Sequence, residues 1–277
     1  MSLFKVTDVT LELKSLPNLL DRQYARYTLR IVTILGFLIA WDLLVKINLM
    51  WPLQFGNMPS PISVLQTWST LLTAQDGGRY YNDILMSLTR VFIGISLGFL
   101  TAVPLGIWIG LSKRATDTAF TIFEVFRPVP LIAYLPVAML LFPTIEGGII
   151  FITYIGAFFP ILISVRDATL RMSPNLINAA KILGCKNSSV FWKVYIPSMA
   201  PEIFTGLVVG VGASWMGVIT AEIMSGKHGI GYFSWTSYNL LKYESSFIGM
   251  FTIGALGFGS TAFVRFIERS VIRWKKA

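Results

Sequence analysis

Residues 173–184 read SPNLINAAKILG, and residues 194–197 read VYIP, in a chain that is otherwise very apolar. Ser173 is a favourable N-cap, and Pro174 suits the first helical position, where its missing N–H would have no partner. Gly184 can adopt the left-handed conformation that ends many helices. Four apolar residues then share one face of the predicted helix, namely Leu176, Ile177, Ala180 and Leu183. Such a helix is expected to dock onto another surface.

The composition of the whole chain indicates the environment in which this segment lies. Hydrophobic residues make up 54% of the 277 residues and charged residues 13%, and the mean hydropathy is +0.66. This balance indicates an integral membrane protein and excludes an ordinary soluble globular protein. A bilayer-spanning helix needs about 20 mostly apolar residues. Six stretches meet this need approximately: 31–50, 91–111, 129–142, 148–165, 203–221 and 247–266. The sequence therefore predicts an all-α, polytopic membrane protein with six spans. The third span is short, and a start before Pro128 stays open.

The positions of Lys and Arg orient these spans, because cytoplasmic flanks collect positive charge. With the N-terminus inside, 18 of the 23 basic residues fall in cytoplasmic segments. Both termini and the loop 166–200 are therefore predicted to be cytoplasmic. The net charge of +9 follows from this bias and does not indicate nucleic-acid binding. Five basic residues remain outside or at the outer boundary: Lys46, Arg79, Arg90, Lys227 and Lys242.

The chain is predicted to comprise an N-terminal cytoplasmic segment, residues 1–30, and a six-span domain, residues 31–277. The N-terminal segment contains no evident cleavable signal peptide. Its mixed apolar and basic pattern fits either a helix lying on the inner leaflet or a mobile tail. In the first span, Asp42 and Lys46 are spaced to form an ion pair on one helix face.

Small residues and prolines mark the spans that pack closely or bend. In the second span small residues recur at every fourth position, which favours packing within the chain over a seam between two copies. Proline is frequent in the third span, and Pro160 is expected to interrupt the fourth. Irregular backbone at membrane depth is tolerated only where protein or a water-filled cavity covers it. The third and fourth spans are therefore expected to line a cavity. The small residues are Gly94, Gly98, Ala102, Gly106 and Gly110.

The sequence contains few features of an enzyme active site. The chain has one histidine, His228, and one cysteine, Cys185, which excludes a His/Cys metal cluster and an internal disulfide. Residues 225–231, SGKHGIG, superficially resemble a phosphate loop. They lack the glycine five residues before Gly226, and His228 stands where Ser or Thr should follow the lysine. We therefore predict a chain that is not an enzyme and holds no metal or cofactor of its own.

The polar loop resembles a known family signature. Residues 178–180, NAA, are followed after three residues by Gly184 and after nine more by VYIP. This order resembles the Glu-Ala-Ala…Gly…Ile-x-Leu-Pro loop of binding-protein-dependent ABC transporter permeases. FRPVP at 126–130 with YLP at 134–136, and TAEI at 220–223 with GIG at 229–231, resemble the subfamily that imports nitrate, taurine, alkanesulfonates and bicarbonate. The similarity extends over nearly all of the chain from about Tyr27.

The resemblance implies a permease of the type I ABC importer fold in the bacterial plasma (inner) membrane. It implies two cytoplasmic ABC ATPases that bind ATP and Mg²⁺, a second permease copy forming a homodimer, and an external substrate-binding protein, with lipid around the spans. It places ATPase coupling on Asn178, where the family usually has Glu, and on Ala179, Ala180, Gly184 and Pro197. Pro197 is expected to end a second short helix, because the residue before proline disfavours the helical region.

The implied substrate is a small anion, with nitrate or nitrite favoured and taurine or alkanesulfonate and bicarbonate as alternatives. An anion path needs hydrogen-bond donors and a favourable potential. The candidate path residues are Arg127, Tyr154, Ser214, Trp215 and Thr220, and the candidate gate residues are Met139 and Met216. Each has a structural alternative: packing for Trp215, a cytoplasmic anchor for Arg127 and core filling for the two methionines.

Two other classes of function stay open at this point. A carrier driven by an ion gradient is disfavoured, because the spans hold few ionisable residues that could bind coupling ions. A structural or assembly subunit without a path would also fit the spans. An ABC permease alone gives the loop at 173–197 a role, since the chain has no nucleotide site and its energy source must be another protein.

Overall fold

A computed structural model describes residues 22–47, 55–73, 77–272 and Trp274, without the side chains of residues 22–27. Every regular element in these ranges is helical, so the all-α prediction is confirmed for the described chain. Five helices are long and apolar enough to cross a membrane, or six if one bent pair counts as a single span. The chain divides after Leu65 into two compact units.

The first unit contains the helix Arg22–Ile47, within which Thr28–Ile47 is a candidate span, here called span 1. This helix begins nine residues before the predicted start at residue 31. The predicted interfacial or mobile segment falls mostly on residues 1–21, which lie outside the described residues. Lys46 Nζ lies 2.7 Å from Asp42 Oδ2, which confirms the predicted ion pair. A short turn at Phe55–Asn57 and a helix at Pro61–Thr73 follow along the chain.

The second unit contains the other spans. Span 2 is Gly77–Leu111, span 4 is Ile145–Leu170, span 5 is Asn187–Ser225 and span 6 is Tyr243–Val271. Span 3 is a bent pair, Lys113–Phe126 and Leu131–Leu141, whose halves meet at 96°. Its N-terminal half comprises the helices Lys113–Asp117 and Ala119–Phe126, and its C-terminal half comprises a 3-10 turn at Leu131–Tyr134 and the helix Leu135–Leu141. Two further short helices connect spans: the loop helix, Pro174–Ile182, and the distal helix, Ile230–Asn239.

Span 4 is the centre of the second unit, packed between spans 2 and 5. A Cβ placed on Gly94 would lie 2.7 Å from Thr153 Cγ2, and one placed on Gly110 would lie 2.5 Å from Thr169 Cβ. The small-residue stripe of span 2 therefore packs against span 4, which confirms the predicted seam within the chain. On the other side of span 4, a Cβ on Gly156 would lie 2.8 Å from the carbonyl oxygen of Ala213. Because Gly94 packs against Thr153 and Gly110 against Thr169, spans 2 and 4 run parallel to each other.

Pro160 does not interrupt span 4, so that prediction is wrong. The helix runs from Ile145 to Leu170 with Pro160 inside it. Pro160 removes the N–H that would have bonded to the carbonyl of Gly156. Both residues border a cleft described below, and a freed carbonyl at membrane depth is tolerated where it lines a cavity. Ile161 and Leu162, fully buried beside the proline, hold the helix in place through packing.

Candidate coupling loop and translocation cleft

The loop helix forms at the predicted place. Ser173 has extended backbone at the N-cap position, with φ −68° and ψ 122°, and Pro174 begins the helix. The Ser173 side chain makes no capping hydrogen bond, and instead the Leu176 N–H donates to the Ser173 carbonyl oxygen at 3.2 Å. The predicted N-cap position is therefore confirmed, but the turn is closed by backbone atoms.

The C-terminal end of the loop helix is a Schellman motif, as Gly184 predicts. Gly184 has φ +80°. The Cys185 N–H donates to the Ala180 carbonyl oxygen at 3.1 Å, and the Gly184 N–H donates to the Lys181 carbonyl oxygen at 2.9 Å. No atom lies within 4 Å of a Cβ built on Gly184. Glycine is therefore favoured here by backbone conformation, not by lack of space.

The loop helix presents an apolar surface that this chain does not cover. Leu176 is 48% exposed, Ile182 86% and Leu183 83%, and Trp192, just after the loop, is also exposed. Ala180 is buried, while Asn178 and Ala179 are exposed. The predicted docking face is therefore not uniform, because Ala180 packs against the rest of the chain whereas Leu176 and Leu183 face away from it. Large apolar side chains exposed together are typical of surfaces that contact another protein, a ligand or a membrane.

Pro197 begins a helix, so the prediction that it ends one is wrong. A π turn at Phe191–Tyr195 leads into the helix Ile196–Ser225, with Pro197 in its first turn. Ile196 keeps helical backbone, with φ −58° and ψ −50°. A π turn shifts the hydrogen-bond ladder by one residue. The missing proline N–H is accommodated there, and the loop connects to span 5 through continuous helical backbone.

Spans 3, 4 and 5 line a cleft with a volume of about 400 Å³. Arg127, in the bend of span 3, is the only charged residue in its lining, and Ser164 provides the other polar side chain. Within the described chain Arg127 forms no salt bridge. Apolar residues form most of the rest, together with Gly156 and Pro160 of span 4, where the helix lacks one backbone hydrogen bond. The sequence prediction that spans 3 and 4 border a cavity is confirmed.

A buried ionic cluster joins spans 2, 4 and 5 at the end far from the loop helix. Arg90, 2% exposed, donates from Nε and Nη2 to the two carboxylate oxygens of Glu146 at 2.9 and 2.6 Å. Its Nη1 donates to Glu222 Oε1 at 2.8 Å and to the His228 carbonyl oxygen at 2.5 Å. Glu222 is fully buried. The sequence placed Arg90 only at the outer boundary and did not predict this cluster.

The same cluster fixes the turn that follows span 5. Glu222 Oε2 accepts a hydrogen bond from the Gly231 N–H at 2.9 Å, and Asp83 Oδ1 accepts one from the Gly229 N–H at the same distance. Gly229 has φ +147°, and a Cβ there would overlap the Glu222 carboxylate. The GIG sequence at 229–231 is thus a backbone surface that covers a buried carboxylate, which agrees with the prediction that it is not a phosphate loop.

Comparisons with known proteins assign this architecture to a family. The profile of the family described as "Binding-protein-dependent transport system inner membrane component" matches residues 102–273. The chain belongs to that family. It is a non-catalytic, multi-pass permease subunit of an ABC importer in the inner membrane, and the ion-gradient carrier is set aside.

Similar proteins include importers of two inorganic anions. The permease is 33% identical to the nitrate import permease protein NrtB of Synechocystis sp. over 247 residues, covering 87% of this chain and 88% of the relative. It is 31% identical to the bicarbonate transport system permease protein CmpB of Synechococcus elongatus, with 87% of each chain covered. A solved structure of the MetNI methionine ABC transporter in inward-facing conformations superposes with a TM-score of 0.55 at 20% identity, covering 72% of this chain and 97% of that one. The permease therefore has the type I importer fold.

The predicted path and gate residues fall into two groups in the permease. Arg127 lines the cleft, and Met216, 71% exposed, and Thr220 lie on span 5. Ser214 is buried and donates to the Thr153 carbonyl oxygen at 3.0 Å. The other residues also make internal contacts: Trp215 Nε1 with Ser260 Oγ at 3.3 Å, the Tyr154 hydroxyl with Thr101 Oγ1 at 3.3 Å, and Met139 beside Gly148. Their roles in transport stay predictions.

Proposed function

We propose that the permease carries a small inorganic anion, nitrate or nitrite, into the cytoplasm. It would act as a homodimer joined to two cytoplasmic ABC ATPases, which bind ATP and Mg²⁺, and would receive the anion from an external binding protein. The similarity to the nitrate import permease over 87% of the chain carries the proposal. The similar coverage of the bicarbonate permease makes bicarbonate the second candidate.

Arg127 suits the cleft for an anion. An anion that leaves water for an apolar cleft loses its hydration and needs a compensating charge or hydrogen-bond donors. Arg127 supplies a positive charge in a lining that is otherwise almost entirely apolar, and Ser164 supplies a hydroxyl. One cation with few other donors favours binding weak enough for release, which conduction requires. A second permease copy facing spans 3, 4 and 5 would close the cleft into a path.

The loop helix suits the contact with the ATPase. Leu176, Ile182 and Leu183 offer apolar area for burial, and the Schellman turn at Gly184 fixes their direction. Span 5 is continuous helical backbone from Asn187 to Ser225, and it begins just after the Schellman turn that ends the loop helix. A movement of the ATPase surface would therefore be transmitted directly to the span that carries the cleft residues Val209 and Ala213.

Uptake assays test the substrate. Cells that lack their own anion importers would express the permease with its ATPase and binding protein, and take up labelled nitrate in competition with bicarbonate and taurine. We expect nitrate to be taken up and to compete best, and Arg127→Gln to lower uptake at least tenfold. Arg171→Gln, which alters an exposed cation near the loop helix, is the matched control and should retain uptake. Preferential uptake of taurine would overturn the proposal.

A separate pair of variants tests coupling. Gly184→Val forces a β-branched side chain into left-handed backbone, whereas Cys185→Val places the same side chain on the next residue, where φ is not positive. We expect Gly184→Val to abolish ATP-driven uptake while the subunit stays in the membrane, and Cys185→Val to retain it. Equal uptake by both variants would contradict the coupling role.

A further inference from the structure

A second cavity, with a polar lining, lies apart from the cleft, between Leu71, the start of span 2, the distal helix and the start of span 6. Its volume is about 200 Å³. Since a water molecule occupies about 30 Å³ in the liquid, this volume accommodates a small anion with a few waters. The polar residues that line it are Arg79, Tyr80, Asp83, Tyr232, Thr236, Ser237, Lys242 and Ser245. We call this the distal cavity.

The distal cavity and the loop helix lie at opposite ends of the bundle. Spans 2 and 4 are parallel, with Gly110 packed beside Thr169, and the loop helix follows directly after span 4. Arg79 lies some thirty residues before Gly110 on the same helix, which corresponds to about 45 Å along the helix axis. If the loop helix faces the ATPase in the cytoplasm, the distal cavity faces the side from which substrate arrives.

The distal cavity has more hydrogen-bond donors than acceptors. Arg79 and Lys242 form no salt bridge with any described residue. Among those same residues, the hydroxyl groups of Thr236, Ser237 and Ser245 have no hydrogen-bond partner. Ser and Thr hydroxyls inside helices usually donate to a carbonyl in the preceding turn, as Thr252 does to Ile248. These hydroxyls are therefore available to a ligand.

One carboxylate partly offsets the two cations. Asp83 is 4% exposed, and its Oδ1 accepts the Gly229 N–H and lies 3.8 Å from Nδ1 of His228. The charged residues of the lining are therefore two cations, Arg79 and Lys242, and one carboxylate, Asp83. The balance remains cationic, and it favours an anion over a cation or a neutral solute.

The turn before span 6 fixes the backbone of Lys242. Leu241 has φ +59°, the only positive φ among the described non-glycine residues. The Leu241 N–H donates to the Tyr238 carbonyl oxygen at 3.0 Å, and the Lys242 N–H donates to the Ser237 carbonyl oxygen at 2.9 Å. A non-glycine residue in left-handed backbone is strained, because its Cβ lies too close to the following carbonyl oxygen. This strained turn holds the cation of Lys242 next to the hydroxyl-bearing face of the distal helix.

We propose that the distal cavity binds a small oxyanion before the anion reaches the cleft, with Arg79 and Lys242 as the charged ligands. The proposal rests on the proposed import of a small anion. It adds a site in the permease itself that receives the anion from the external binding protein. Thr236, Ser237 and Ser245 supply neutral hydrogen-bond donors, which bind an oxyanion without the full electrostatic strength of further cations.

Nitrate binding to the permease–ATPase complex in lipid nanodiscs, without the external binding protein, tests the site. Line broadening of ¹⁵N-nitrate would be titrated at constant ionic strength with gluconate as the inert anion. We expect Arg79→Gln combined with Lys242→Gln to weaken nitrate binding at least fivefold. Lys227→Gln, which removes an exposed cation near the cavity but outside its lining, should leave binding unchanged. Arg79→Lys, which keeps the positive charge, should retain most of the nitrate binding.

The outcomes separate this site from the transport proposal. Unchanged nitrate binding by the double variant would overturn the distal site, even if uptake assays select nitrate. Selection of another substrate in uptake assays would overturn the proposed function, while a loss of nitrate binding confined to the cavity variants would still support the site. Should the double variant fail to assemble, Thr236→Val combined with Ser245→Ala keeps both charges and is expected to weaken binding at least twofold, and unchanged binding there would count against the site.

Discussion

At the scale of single residues, Glu222 organises the far end of the permease. One oxygen accepts hydrogen bonds from Ser87 Oγ and Arg90 Nη1, at 2.6 and 2.8 Å, and the other accepts the Gly231 N–H. A buried carboxylate is stable only when charges and donors compensate it, and removing one partner of a buried pair costs about 3–5 kcal/mol. Short-range patterns predict neither partner, because Glu146 and Glu222 lie 56 and 132 residues from Arg90. Gly184, whose conformation depends on its neighbours in sequence, is predicted correctly.

Two glycines beside this carboxylate give a matched test at the residue scale. Gly226 and Gly229 both have positive φ, but only Gly229 lies against the Glu222 carboxylate, and nothing lies within 4 Å of a Cβ on Gly226. We expect Gly226→Ala to cost about 1 kcal/mol for left-handed backbone, and Gly229→Ala to cost about 1–3 kcal/mol more from overpacking. Thermal unfolding of the solubilised permease, followed by size-exclusion chromatography, would measure both. Equal stability of the two variants would contradict the role of Gly229.

At the scale of elements, span 4 is the helix on which the others assemble. The four-residue spacing of small residues in span 2 predicts a close seam, because it depends only on helical periodicity. The partner and register of that seam arise from tertiary packing, so the sequence does not identify Thr153, Ala157 and Thr169 as the opposing residues. Structural context also decides the effect of Pro160 and Pro197 on their helices. A cleft accommodates the missing N–H of Pro160, and a π turn accommodates that of Pro197.

A pair of valine substitutions tests the seam. Gly94→Val would place side-chain atoms on Thr153, which lies 2.7 Å from the Cβ position, whereas Gly254→Val on span 6 meets nothing within 4 Å. Both changes add the same β-branched side chain to a membrane helix. We expect Gly94→Val to reduce the yield of folded permease several-fold and Gly254→Val to leave it near the unsubstituted level. Comparable yields of folded protein would show that the seam does not require glycine.

At the scale of the whole molecule, the loop helix and the distal cavity occupy opposite ends of one bundle, and a transport cycle must connect them. The sequence predicts the membrane class, the number of spans and the family, because these depend on composition, hydrophobic length and a local signature. The cleft at Arg127 and the distal cavity each combine residues from at least three elements, and their members become evident only when the spans are packed. The orientation of the bundle rests on the bias of Lys and Arg and stays a prediction.

Cys185 makes that orientation measurable in the unaltered chain. It is the only cysteine, it is exposed, and it follows Gly184 at the end of the loop helix. With the loop in the cytoplasm, a membrane-impermeant maleimide should label Cys185 in inside-out vesicles and leave it unlabelled in intact cells. Cys185→Ser combined with Lys227→Cys should reverse this pattern, because residue 227 follows span 5 at the opposite end.

If the exposed leucines of the loop helix contact the ATPase, adding the ATPase to inside-out vesicles should slow the labelling of Cys185 at least fivefold. Labelling from outside the cell would overturn the orientation, and labelling at an unchanged rate with the ATPase bound would instead place the coupling surface elsewhere.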